Sequence, residues 1–236
     1  MQKLPENPHV VIVGAGFGGL ACAQALGGKP VKVTIVDRRN YHLFVPLLYQ
    51  VATAALSPAD IARPIRRILS RYKNIEVVLG TVTGVDTAAK RVRLSNGAEF
   101  SYDKLVVATG SDYSYFGHPE WAEFAPGPRS LEDARRIRAH LLIAFERAEA
   151  SSDPAQQNVL MTTVIVGGGP TGVEMAGSVA ELARYALARD FRTIDPRRAK
   201  IVLIEAGPRI LSGFPEKLSD YAKTALEKLG VTVITK

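Results

Sequence analysis

The sequence predicts an α/β fold made of two successive βαβ units, with a small antiparallel β-meander inside the first. Two observations predict the units: the apolar runs Val10-Val11-Ile12-Val13 and Thr163-Val164-Ile165-Val166 each lead straight into a glycine turn, and each turn is followed by a helical stretch and a second apolar run closed by an acid. A third predicts the meander: from Ile75 to Ser101 the apolar period shortens to two.

The first unit starts at Val10–Val13, four apolar residues that suit a strand buried on both faces. Gly14 permits a tight turn, Gly16 lets the backbone approach a pyrophosphate, and Gly19 lets helix and strand pack closely. A helix is expected over Leu20 to Leu26, closing on Gly27-Gly28. The N–H groups and positive dipole end at its start would hold phosphates. The next strand, Val31 to Val36, runs into Asp37, roughly twenty residues past the glycines, where a carboxylate can bind a ribose diol. Glycine spacing alone is a weak signal. With the strand, the helix and the acid all in place, the unit reads as a Rossmann-like dinucleotide-binding fold.

Tyr41 to Thr53 is apolar and aromatic, has no regular period and is interrupted by Pro46, so an irregular segment covering a flat ring or the core is expected. Ser57-Pro58 offers an N-cap followed by proline at the first helical position, beginning a basic helix to about Tyr72. Strands near Glu76–Leu79, Val82–Val85, Arg91–Leu94 and Glu99–Ser101 make the meander, with Ser95-Asn96-Gly97 as a hairpin turn. Leu105-Val106-Val107 then returns to the buried sheet and ends in the small turn Ala108-Thr109-Gly110. Tyr113 to Arg129 reads as a crossing loop, and Ser130 with Asp133 as the capping pair of a helix over Leu131 to Ala150. The polar stretch Ser151–Asn158 is the expected linker, giving domains 1–155 and 156–236.

In the second unit Gly167, Gly169 and Gly172 repeat the spacing of Gly14, Gly16 and Gly19. A helix through Ala188, the strand Lys200–Ile204 and the acid Glu205 complete it. A loop to Pro215, a helix Glu216–Leu229 and a strand Val231–Thr235 follow.

Composition excludes several classes of function. The apolar share of 47% and charged share of 22% are those of globular domains. There is no apolar run of the roughly eighteen residues that span a bilayer, and no hydrophobic signal region before the first strand, so a cytoplasmic location is expected. The net charge of +7 is spread over several arginine groups and no nucleic-acid-binding module accompanies it, so solvated faces are expected and nucleic acid is not. Cys22 is the only cysteine, which leaves no disulfide, no redox CxxC pair and no cysteine-based metal site; a small buried residue is expected there. His9, His42, His118 and His140 show no ligand spacing and read as ordinary surface or core histidines, with no metal site.

The doubled fingerprint resembles the two-dinucleotide flavoproteins, in which one nucleotide domain holds FAD and an inserted one holds NAD(P)H. Tyr41–Thr53, Ser57–Ala62, Ser130–Ala134 and Gly167–Glu174 narrow the resemblance to the type II NADH dehydrogenases, single-subunit NADH:quinone oxidoreductases that work at a membrane surface without pumping protons. It implies FAD in the first domain, with Gly14, Gly16 and Gly19 at its pyrophosphate, Asp37 at the adenosine ribose, Val82 at the adenine, Thr53 by the isoalloxazine and Ala108-Thr109-Gly110 along the cofactor. It implies NADH in the second, with Gly167, Gly169 and Gly172 at the pyrophosphate and Glu205 at the ribose. Glu205 would repel the extra phosphate of NADPH, although Arg209 nearby could serve it. Glu174 matches an acid near the reacting rings; on its residues alone it could equally cap its helix. Family members continue well past residue 236, so the resemblance also implies a C-terminally incomplete chain. The part beyond would carry the quinone site and the attachment to the inner face of the cell membrane. A homodimer is left open. The alternatives are a soluble reductase of a protein acceptor such as ferredoxin, and a nucleotide-binding fragment without turnover.

Overall fold

The computed structural model describes residues 6–236; Met1–Pro5, part of the stretch read as lacking a signal region, lie outside them. Strand β1 (His9–Val13) turns at the glycines into helix α1 (Phe17–Leu26), which returns as β2 (Lys32–Asp37). Then come β3 (Tyr41–Leu43), a 3-10 turn (Val45–Leu47), α2 (Leu48–Ala52), α3 (Pro58–Ile61), β4 (Ala62–Pro64), α4 (Ile65–Leu69) and β5 (Ile75–Leu79). The meander is β6 (Val82–Asp86), β7 (Arg91–Leu94) and β8 (Glu99–Ser101), followed by β9 (Lys104–Val107). The remainder is α5 (Leu131–Ala150), α6 (Pro154–Leu160), β10 (Thr162–Val166), α7 (Pro170–Glu181), β11 (Lys200–Ile204), α8 (Glu216–Lys228) and β12 (Val231–Ile234).

The chain divides into two compact units, residues 1–44 with 59–113 and residues 45–58 with 114–236. Residues 45–58 and α5 thus group with the second unit, so this division does not follow the expected linker at 151–158. That linker contains a helix: Asp153 caps α6 by accepting from the Ala155 N–H at 2.9 Å, and Pro154 occupies the first turn. Pro154 is at home there, because its missing N–H costs nothing in the first turn.

In the first unit a four-stranded parallel sheet has the order β5-β2-β1-β9. One face of β1 and β2 packs on α1 and α4 through Ile12, Leu20, Ala23, Ile35, Ile65 and Leu69. The other face, through Val11 and Val13, meets Val82, Val92 and Phe100 of the meander. Both faces of β1 are therefore covered, which is why it tolerates four apolar residues in a row. Cys22 is half-buried at the edge of the helix-side core, not fully buried as expected.

Four expectations are corrected here. Helix α1 begins at Phe17 rather than Leu20, because Gly16 serves as its N-cap and the Leu20 N–H bonds the Gly16 carbonyl at 3.0 Å. Tyr41–Thr53 is not irregular: β3 pairs antiparallel with β4, and Pro46 fits within a 3-10 turn. The basic helix expected to reach Tyr72 is interrupted at Ala62–Pro64, since Pro64 has no N–H to give a helix and pushes Arg63 out of the helical region. Strand β5 belongs to the parallel sheet beside β2, not to the meander. Asn74 fixes its entry: the amide donates to the Leu26 and Val31 carbonyls, both at 3.0 Å, and accepts from the Gly28 N–H at 2.8 Å.

In the second unit the parallel sheet runs β10-β11-β12, with α7 packed across all three strands and α8 against β12 and α7. Helix α2 packs on α5 and α7. Beyond Glu181 the helix widens into a π turn at Leu182–Ala186 and tightens to 3-10 at Leu187–Arg189. The N-terminus of α5 carries the expected capping box: Ser130 Oγ accepts from the Asp133 N–H at 3.1 Å, and the Asp133 carboxylate accepts from the Ser130 N–H at 3.0 Å. Because Ser130 is buried, no water replaces the lost bond in Ser130→Ala. That substitution is expected to cost about 1 kcal/mol, read as a lower unfolding midpoint and faster amide exchange in the first turn of α5; Ser130→Thr, which keeps the hydroxyl that also donates to the Asp133 carboxylate at 2.7 Å, should retain most of the stability.

Candidate functional site

Each unit contains one glycine corner, and the two are built alike. Gly14 and Gly167 leave their strands at φ of +99° and +104°, a region closed to most side chains. Their N–H groups bond the carbonyls of Val36 and Ile204, each at 2.8 Å. Five residues on, a β-carbon at Gly19 would overlap the Gly14 carbonyl oxygen, and one at Gly172 the Gly167 oxygen. The helix therefore springs from the strand end at contact distance, which glycine alone allows. In contrast, nothing lies within 4 Å of a β-carbon built at Gly16 or Gly169. Those two glycines face open space at the helix N-termini, where N–H groups lack partners inside the helix.

The acids close the corners from the neighbouring strands. Asp37 accepts from the Ala15 N–H at 2.7 Å and, through its other oxygen, from the Arg39 N–H at 2.7 Å. Glu205 accepts from the Gly168 N–H at 2.6 Å and the Gly207 N–H at 2.7 Å. Each carboxylate oxygen has a second lone pair, so a ribose diol can still donate to the carboxylate. The bonds from Gly207 and Gly168 outweigh desolvation and hold the Glu205 carboxyl below its ordinary value.

The other residues singled out by the sequence are distributed between the units. Ala108–Gly110 leaves β9 beside the first corner: the Ala108 N–H bonds the Val13 carbonyl at 2.8 Å, and a β-carbon at Gly14 would overlap the Ala108 oxygen. The corner therefore lies where the strand order turns from β2 on one side of β1 to β9 on the other, the usual crevice for a ligand in an open parallel sheet. Val82 opens β6 two residues after Gly80, whose N–H bonds the Asp37 carbonyl at 2.8 Å, and packs on the cluster of Val11, Val13 and Val92. Thr53 belongs to the second unit, buried at the end of α2, with its hydroxyl donated to the Tyr49 carbonyl at 2.9 Å. Glu174 is the fifth residue of α7. Gly169 occupies the N-cap position, so Glu174 does not cap the helix; its side chain is exposed, yet partial burial raises its carboxyl above the ordinary value. Arg209 is turned away from a phosphate role: its guanidinium donates to the carbonyls of Phe214 and Ser212, both at 2.9 Å.

Sequence reasoning missed His42. Its Nδ1 lies 3.0 Å from the Ala15 carbonyl oxygen of the first corner, and its ring meets Phe17 edge-on at 5.1 Å. No sequence spacing signals this, because β3 reaches the corner only through its pairing with β4. Among the described residues no cluster of His, Cys, Asp and Glu is arranged to hold a metal ion.

The lowered Glu205 value has a pH consequence. A carboxyl depressed on folding stabilises the native state above its unfolded value and loses that contribution as pH falls through the folded one. Glu205→Gln is therefore expected to melt lower than the parent at neutral pH, the gap closing as pH drops below the ordinary value of 4.5; melting curves over a pH series check this, and a gap that persists in acid would contradict it.

A family model described as pyridine nucleotide-disulphide oxidoreductase matches residues 8–236. The type II NADH:quinone oxidoreductase Ndh of Mycobacterium tuberculosis is 46% identical over 97% of this chain and 50% of its own length. The external alternative NADH-ubiquinone oxidoreductase of Yarrowia lipolytica is 32% identical over 100% of this chain and 43% of its own. Among solved structures, NDH2 of Plasmodium falciparum in complex with NADH superposes with a TM-score of 0.90 at 26% identity, covering 97% of this chain and 48% of that one. The chain thus spans about half the length of the curated relatives it matches. Two duplicated glycine corners and a family match over nearly every residue give one conclusion: the chain belongs to the pyridine nucleotide-disulphide oxidoreductase family.

Proposed function

We propose that this chain forms the nucleotide-binding part of an FAD-dependent NADH:quinone oxidoreductase, with FAD in the first corner and NADH in the second. The observation that carries this reading is the doubled corner, open at Gly16 and Gly169 and closed by Asp37 and Glu205. A reaction that needs two dinucleotides at once is hydride transfer between a nicotinamide and a flavin. The two 46% identical relatives of Mycobacterium tuberculosis are NADH:quinone oxidoreductases, which points to a quinone as the acceptor. When bound, FAD supplies the hydride-accepting ring and the onward passage of electrons.

The residues of the chain bind and orient. The open first turns of α1 and α7 would take the pyrophosphates, and Asp37 and Glu205 the adenosine riboses. Ala108-Thr109-Gly110, which leaves β9 beside the first corner, would run along FAD, and Val82 is assigned to the adenine and Thr53 to the isoalloxazine by resemblance. Glu205, kept ionised by its backbone donors, opposes a 2′-phosphate, and Arg209 is occupied elsewhere, so NADH is the donor. Glu174, with its carboxyl raised by partial burial, is assigned to nicotinamide orientation or proton delivery to the quinone. A quinone is apolar, so we place the complete protein at a membrane face; no helix among the described residues is long and apolar enough to cross one.

Two variants of the complete protein test the assignment. Gly16 has an ordinary φ of −68° and empty space around it, so Gly16→Val should fold normally while losing roughly tenfold or more in FAD affinity. Flavin absorbance of the purified variant reads this, and a normal FAD content overturns the first assignment. Glu205→Arg should shift the preference for bleaching that absorbance from NADH toward NADPH; unchanged selectivity overturns the second.

A further inference from the structure

The two corners differ in what holds the carbonyl at their second position. In the second corner the Gly168 carbonyl accepts from the backbone N–H of Leu211 at 2.7 Å. In the first, the corresponding Ala15 carbonyl is met by a side chain, His42 Nδ1 at 3.0 Å. The loops after the two acids otherwise correspond: the N–H of Arg39, two residues past Asp37, matches that of Gly207, two residues past Glu205. His42 therefore stands in the first loop where a main-chain amide stands in the second.

A carbonyl oxygen only accepts, so Nδ1 carries the hydrogen, and the neutral ring is the Nδ1–H tautomer. The peptide between Ala15 and Gly16 is trans, as are all the described peptides, so fixing the Ala15 carbonyl on the His42 side fixes the Gly16 N–H on the opposite side. The preceding peptide is held by Asp37 through the Ala15 N–H. Two consecutive peptides of the corner are thus each pinned by one side chain. The ring itself is positioned by the β3–β4 pairing, which sets His42 opposite Arg63, and by Phe17, which also meets Phe44 at 5.5 Å.

We propose that His42 is a positioning residue of the first corner, whose Nδ1–H fixes the Ala15–Gly16 peptide in the orientation that receives a dinucleotide pyrophosphate. The ligand class rests on the FAD assignment above; the effect on the peptide does not. Asn carries an amide N–H at the reach of Nδ1, and Gln at the reach of Nε2, so the pair separates hydrogen bonding from ring packing. In the complete protein, His42→Gln and His42→Phe are expected to weaken FAD binding about fivefold, the size of one lost hydrogen bond, and His42→Asn to restore it, with NADH affinity unchanged in all three. Flavin fluorescence on dilution measures the first and NADH titration the second.

The Ala15 carbonyl carbon and Gly16 amide nitrogen shifts, which belong to the peptide His42 holds, are expected, without added nucleotide, to move in the Gln and Phe variants and to stay near the parent values in the Asn variant. Unchanged shifts in all three overturn the role of His42, as does an Asn variant that loses as much FAD as Phe. Shifts that move in Gln and Phe alone, with FAD retained normally by Gly16→Val, uphold the positioning role and overturn the FAD assignment instead.

Discussion

The structure depends on one close approach, that of a helix backbone to the carbonyl oxygen where its strand ends. At Gly19, and again at Gly172, the space a β-carbon would need is already filled by that oxygen, which belongs to Gly14 in one unit and to Gly167 in the other. This contact sets the angle at which the helix leaves the sheet, and with it the direction of the first-turn N–H groups. It also brings the second residue of the turn within reach of an acid on the neighbouring strand, so that Asp37 and Glu205 are each tied to their own corner. The residue between the paired glycines then stays uncovered, which leaves room for a phosphate.

Given the same corner, the surroundings make the two units different. Strand β1 is flanked by β2 and β9 and covered by helices on one face and the meander on the other, so Val11 and Ile12 are fully buried. Strand β10, of nearly the same composition, pairs with β11 alone, and Val164 and Val166 are exposed. Pro170 opens α7, removing one N–H donor that the first corner keeps at Phe17. A histidine holds the turn carbonyl in one unit and a main-chain amide in the other. The two corners thus differ in their neighbours and not in the spacing of their glycines.

Much of the fold was legible in the sequence because its signals are short-ranged. The capping pair Ser130 and Asp133 is three residues apart, and both bonds form as expected. The turn at Asn96-Gly97 forms with Gly97 at φ of +83° and closes the β7–β8 hairpin. Where the signals failed, the partner was remote. Ala62–Pro64 reads as part of a basic helix until Tyr41–Leu43 is there to pair with it. Ile75–Leu79 has the same alternation as the meander strands, and only its contact with Val33–Asp37 makes it parallel. Of the site, the glycines and acids stood out by spacing, whereas His42 did not, since its distance from Ala15 is closed by β3 rather than by a turn.

The sequence by itself determined the two corners and their acids, because a positive φ and a missing β-carbon are demands met by the identity of a few residues close along the chain. Only the tertiary structure decided which strand lies beside which, that residues 45–58 pack with the second unit, that Arg209 is bound to its own loop and that His42 reaches the Ala15 carbonyl. Those outcomes depend on the packing and pairing of elements brought together by folding, and local pattern carries no record of them.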